Sequence, residues 1–263
     1  MKKVLTIAGS DCSGGAGIQA DIKTITAHKM YAMSAVTALT AQNTTGVYDV
    51  LDAAPEFVGR EIDCVFQDIV PDSVKIGMVS TSGIINIIAA KLREYNAANI
   101  VVDPVMVSTS GSKLLSDDAM SALINNLLPM GDVITPNLHE AEALCGFAIH
   151  SEEDMIKAAE IIGKNIEGAV LVKGGHLADT ANDLLYEQGS ITWLKGERVV
   201  NPNTHGTGCT LSSAIACNLA AGYDMVTAVK NAKKYITGAL RAQLDLGKGS
   251  GPLEHTFNLE IKK

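Results

Sequence analysis

Short apolar runs that alternate with longer helix-period segments predict an α/β fold, with a mainly parallel sheet covered by helices on both faces. Two further observations agree. Hydrophobic residues make up 47% of the 263, enough to fill a sizeable core. Glycine or polar residues follow nearly every apolar run, as they do at the edge where such sheets bind ligands.

The expected strands are Val4–Ala8, Ala35–Thr40, Ser73–Met78, Ile100–Val102, Val133–Thr135 and Ala169–Val172. Ile84, Ile87, Ile88, Lys91 and Leu92 share one helical face. Ala119, Met120, Leu123, Ile124 and Leu127 do the same after a Ser116 N-cap. Leu184–Tyr186 and Ile191–Leu194 flank Glu187–Ser190 and predict an antiparallel hairpin at one sheet edge. After Gly206 the pattern is helical to about Leu244. No linker, repeat or low-complexity tract interrupts the chain, so one domain is expected over 1–263.

The net charge of −8 and the absence of a Lys/Arg run argue against nucleic acid as a partner. Val4 to Ala8 is too short for a secretory core, and no window has the apolar length of a membrane span. Cys12, Cys64, Cys145, Cys209 and Cys217 are odd in number and lack zinc-ligand spacing, which points to reduced thiols and a cytoplasmic location.

Gly15, Gly17 and Ala20 fit GxGxxA, but no acidic residue lies between Ile22 and Tyr48 to bind a ribose, which weakens a dinucleotide reading. A P-loop is excluded because Gly15-Ala16 stands where Lys-Ser/Thr is required. The cluster is either a turn into a helix or a loop whose backbone approaches a small ligand. Asp103 follows a strand, where it either caps a loop or organises Mg²⁺ and phosphate. Asn137 and Glu140 have the spacing of a capping box and also face the expected crevice, where Glu140 could hold Mg²⁺ through water. Lys173, followed by two glycines and His176, is either solvated or a point charge for ATP phosphates.

The strongest local signal runs from Asn203 to Thr210. Gly206, Thr207 and Gly208 precede a small-residue helix, so successive N–H groups can form an anion hole. Cys209 falls in the first turn, where the dipole is expected to lower its pKa; the alternative is a tight turn with a small packed thiol.

Taken in order, these motifs resemble the ribokinase superfamily, and closely its hydroxymethylpyrimidine/phosphomethylpyrimidine kinases. The likeness runs through Ala8 to Asp21, Thr40 to Thr44, Val101 to Val107, Ile134 to Glu140, Val172 to His176 and Asn203 to Thr210. It implies a three-layer αβα, ribokinase-like fold, with a mostly parallel central sheet and a small antiparallel edge. It also implies a homodimer that uses ATP and Mg²⁺ and phosphorylates the pyrimidine alcohol and then its monophosphate, in thiamine biosynthesis. By the same resemblance Gly206 and Gly208 form the anion hole and Cys209 is the base. Gly9, Ala16, Gln42, Met78 and Val105 then line the pyrimidine pocket, Lys173, Asn137 and Thr207 meet the nucleotide, and Asp103 and Glu140 serve the metal. Sugar kinases of the superfamily carry Asp where this chain has Cys209, which argues against sugars. With no extra domain appended, a fused second activity is not expected. The rival readings are pyridoxal kinase on the same scaffold, a dinucleotide-dependent oxidoreductase, and a non-catalytic metabolite-binding module.

Overall fold

A computed structural model describes residues 1–106, 115–175, 182–196 and 198–259. Val107 and His176, both within motifs quoted above, lie outside the described residues. Among the described residues a nine-stranded sheet has the order β3-β2-β1-β4-β5-β6-β7-β8-β9. Its strands are β1 (Lys3–Asp11), β2 (Tyr31–Asn43), β3 (Gly46–Asp52), β4 (Ser73–Ile76), β5 (Ile100–Val102), β6 (Val133–Ile134), β7 (Ala169–Val172), β8 (Asp183–Glu187) and β9 (Ser190–Leu194). β2, β1, β4, β5, β6 and β7 run parallel.

Alternate residues of each parallel strand enter different cores, because successive side chains point to opposite faces. Leu5, Ile7, Val74, Ile76 and Val102 pack under α2 (Pro55–Asp68), α3 (Ser82–Glu94), α5 (Leu138–Cys145) and α6 (Glu152–Gly163). Val4, Val101, Val133, Ala169 and Leu171 pack under α1 (Gly17–Ala27), α7 (Thr207–Ala220) and α8 (Met225–Arg241). This is the expected three-layer architecture.

The hairpin lies at one edge as expected, with Gln188 and Gly189 both at positive φ, the pair of conformations that a two-residue turn between twisted strands requires. The other edge was not anticipated. β2 extends well beyond Ala35–Thr40 and folds back into β3, which pairs with it antiparallel. The sheet is therefore antiparallel at both edges. β3 escaped notice because it is almost wholly exposed and so carries no buried apolar run.

Two helical expectations also change. The segment after Gly206 is two helices, separated at Gly222 and restarted by Asp224, whose side chain accepts from Thr227 N at 2.9 Å. α4 (Asp117–Ala122) passes into a π-helical turn at Leu123–Leu127, and Ser116, although at its N-cap, gives its hydroxyl to Asp118. No described helix is long and apolar enough to cross a membrane.

Candidate active site

The C-terminal ends of the parallel strands carry two adjoining clusters. The first is charged. Asp103, just past β5, is 2% exposed and accepts from Thr135 Oγ1 and Lys173 Nζ, both at 3.0 Å. Ser212 Oγ of α7 lies 3.4 Å from its other oxygen. Glu140 Oε2 is 4.0 Å from Lys173 Nζ. Asn137 and Glu140 close a reciprocal capping box, with Glu140 N to Asn137 Oδ1 at 2.9 Å and Asn137 N to Glu140 Oε2 at 2.7 Å. The structural reading of this pair therefore holds, and the same geometry places Glu140 against Lys173.

Electrostatics separate the two acids. Burial would raise Asp103, but Lys173 and Lys75, with hydrogen bonds from Lys173 and Thr135, hold its carboxyl below the usual range. Burial pushes Glu140 up to about 7, opposed by Lys173 and reinforced by Asp103. Burial also works against the Lys173 charge, yet Asp103 and Glu140 keep that ammonium above its ordinary value. The described residues hold no cluster of three or more His, Cys, Asp or Glu able to cage a metal. Two carboxylates already engaged by protein donors suit Mg²⁺, which keeps much of its water and takes few protein ligands.

The second cluster is the expected substrate side. Gly9 sits at a register shift of β1 against β2, and a Cβ there would meet Met78 Sδ at 3.2 Å. Ala16, Gln42 and Met78 are half-buried. Val105 is half-buried in the loop after Asp103, its N–H given to Asp103 O at 2.8 Å. Gly206 has φ of +83°, and a Cβ on it would lie 1.9 Å from Gly15 O, so only glycine lets the two loops meet. A Cβ on Gly208 would lie 3.3 Å from Asp103 Oδ2 and 3.5 Å from Lys173 Nζ, which puts the start of α7 directly over the charged cluster. Thr207 turns both its hydroxyl and its N–H back to Thr204 O, at 2.7 and 3.2 Å, so both donors are already engaged within the turn.

Cys209 is half-buried between the two clusters, within hydrogen-bond reach of the Gly17 backbone. The thiol departs from the sequence expectation. Burial pushes it up to about 11, and the Lys75 charge and the Gly17 N–H offset this only in part. Desolvation outweighs the helix dipole here.

Lys75 was not singled out in the sequence, nor was Asp21. Both are fully buried, with Lys75 Nζ 2.8 Å from Asp21 Oδ2. Thr6 Oγ1 and Ser213 Oγ donate to the same carboxylate at 2.6 and 2.7 Å. Burial opposes the Lys75 charge, but Asp21, with Cys209 and Asp103 further off, keeps it above its ordinary value. A lysine between Val74 and Ile76 in an expected buried strand was the available signal. Asp11 and His205, which join the two loops, were also missed as site residues.

A family model described as phosphomethylpyrimidine kinase matches residues 11–254. The chain belongs to the phosphomethylpyrimidine kinase family. It is 49% identical over 255 residues to a hydroxymethylpyrimidine/phosphomethylpyrimidine kinase of Rhizobium meliloti, covering 95% of this chain and 96% of the relative. It is 46% identical over 258 residues to a thiamine biosynthesis bifunctional protein of Geobacter sulfurreducens, where it covers 98% of this chain but spans only about half, 53%, of that relative. The pyridoxal kinase of Staphylococcus aureus, solved in complex with AMP-PCP and pyridoxal, superposes with a TM-score of 0.90 at 36% identity, covering 99% of this chain and 96% of that one.

Proposed function

We propose that this single domain transfers the γ-phosphate of ATP to 4-amino-5-hydroxymethyl-2-methylpyrimidine, and then a second phosphate to the monophosphate so formed. The observation that carries this reading is Cys209 standing where the Gly206–Gly208 turn, the Lys173–Asp103–Glu140 cluster and the Gly9–Met78 side adjoin. Lys173 and the N–H groups of the turn would receive the phosphates, since phosphoryl transfer is catalysed chiefly by positioning and charge neutralisation. Mg²⁺, held by Asp103 and Glu140 through water, would add neutralisation of the phosphate oxygens when bound.

Cys209 would take the alcohol proton. Burial keeps its thiol protonated in the ligand-free chain, so this role requires deprotonation to accompany filling of the crevice; Lys75 supplies the charge that favours it. On the substrate side, the Gln42 amide offers an acceptor and donors for an exocyclic amine and its neighbouring ring nitrogen. Pyridoxal phosphorylation is the second reading, favoured by the superposition on a pyridoxal kinase.

Five unpaired thiols support a reducing, cytoplasmic setting. One face of the β2–β3 pair exposes Leu39 and Leu51, directly opposite each other, at 54% and 68%, an apolar surface suited to a second copy of the chain in a homodimer.

The test is ADP release with the pyrimidine alcohol, its monophosphate, pyridoxal and ribose, each with and without excess chelator. The expected result is phosphorylated pyrimidine products that vanish with chelation. Product from pyridoxal alone would transfer the reading to that substrate, and full turnover in chelator would remove the metal.

A further inference from the structure

The loop that leaves α8, residues 244–251, touches both halves of the candidate site. One amide closes it. Asn203, 5% exposed in the segment before α7, donates from Nδ2 to Leu244 O at 2.9 Å and accepts from Gly251 N through Oδ1 at 2.8 Å. Both ends of the loop are thus held by a single side chain.

One side of the loop faces the turn between β2 and β3. Lys248 N and Gly249 N both donate to Thr44 Oγ1 at 3.1 Å. The two backbones meet closely there, since a Cβ on Gly249 would lie 2.1 Å from Thr44 O. Thr44 is the first residue after β2 and stands two residues past Gln42. The contact therefore anchors the end of the strand that carries Gln42.

The other side of the loop faces the segment that leads into α7. Thr204 N donates to Ser250 Oγ and His205 N to Gly251 O, both at 3.1 Å. Ser250 Oγ gives its own hydrogen to Pro202 O at 3.2 Å. His205 and Pro252 continue the contact as a parallel bridge. His205 immediately precedes Gly206, where the turn over the charged cluster begins. A continuous path of hydrogen bonds thus joins Thr44, on the substrate side, to His205, on the phosphate side. Phosphoryl transfer needs the acceptor oxygen and the phosphorus in line at a set separation. An error of about 1 Å between two bound partners can cost about 100-fold in rate.

We infer that the 244–251 loop is a brace that sets the spacing between the substrate-side end of β2 and the turn at Gly206, with Thr44 and Asn203 as its positioning residues. The consequence for turnover rests on the function proposed above; the mechanical link does not.

Gly249→Ala is the direct test, because its Cβ drives the loop away from Thr44. Gly46→Ala is the control, since a Cβ there, in the same β2–β3 turn, meets nothing within 4 Å. In Gly249→Ala, kcat for the pyrimidine alcohol should fall about 10- to 100-fold. Calorimetric Kd values for ADP alone and for the pyrimidine alone should stay near wild type, because each half of the site is intact. Gly46→Ala should keep wild-type kcat. A loop that only adds stability would give wild-type kcat with a lower Tm, and that result overturns the spacing claim. Lost affinity for one ligand alone also overturns it, by placing the loop in one half of the site. Hydrogen–deuterium exchange on the ligand-free chain judges the link without any substrate. Gly249→Ala should speed uptake several-fold at Thr204 and His205, on the side of the loop away from Thr44. Wild-type uptake at those two amides refutes the link. Should Gly249→Ala fail to fold, Thr44→Val removes the shared acceptor at nearly constant shape, and the same two amides and the same kcat decide. Wild-type protein that phosphorylates neither the pyrimidine alcohol nor pyridoxal would defeat the proposed function and the spacing claim with it, while the exchange measurement still decides the link.

Discussion

The raised Cys209 thiol gives a measurable reactivity. Burial moves it from 9.0 to about 11, so at any pH well below both values the folded chain holds about 100-fold less thiolate at this position than an ordinary thiol does. A thiolate of higher pKa is intrinsically more nucleophilic, and with a Brønsted coefficient of about 0.5 this returns roughly tenfold. Cys209 in the ligand-free protein should therefore react with a small disulfide reagent about tenfold more slowly than the same cysteine in the urea-unfolded chain. Steric cover lowers the absolute rate further, but it does not change the shape of the pH profile. The rate, read at the Cys209 peptide by mass spectrometry, should climb log-linearly from about pH 7 to 10, whereas the unfolded control should bend near the ordinary value of 9.0. Lys75→Met should depress the folded rate again, because the Lys75 charge is the largest influence favouring the thiolate. A folded profile that bends at the same pH as the unfolded control, at an equal rate, would show that burial does not govern this thiol.

Cys209→Ala should lower kcat by about 10²–10⁴-fold if it is the base, less if the transition state is loose, while ATP binding measured by calorimetry stays near wild type because the turn binds through backbone. An unchanged kcat would reduce Cys209 to packing. Lys75→Met should destabilise by about 3–5 kcal/mol, since it strands a buried carboxylate, and denaturant unfolding of the Asp21→Asn/Lys75→Met double variant should show much of that recovered. Gln42→Met should lower kcat/KM for the pyrimidine alcohol more than for pyridoxal; equal losses would deny it a selective role. Leu51→Lys should shift sedimentation from dimer to monomer if the β2–β3 face joins two copies, and an unchanged profile would place the interface elsewhere.

The sequence alone determined the parallel core and the strand ends that carry the candidate site residues. Most of each parallel strand is an apolar run, because both of its faces are buried, and Asp103, Asn137 and Lys173 stand just past those runs. The capping box at Asn137 and Glu140 was legible because its two bonds join residues three apart in the chain. β3 was not legible, since an exposed edge strand needs no apolar pattern and is defined by its pairing with β2. The expected thiolate at Cys209 failed for a related reason. A helix dipole is a local property that spacing reveals, whereas desolvation depends on everything packed around the sulfur. Asp21 with Lys75 and Asp11 with His205 lie 54 and 194 residues apart, so their pairing exists only once α1 lies against β4 and the loop before α7 closes over the end of β1. Short-range hydrogen bonds and burial periodicity are written in neighbouring residues, but the charges that tune a buried site are set by contacts that only the folded chain brings together.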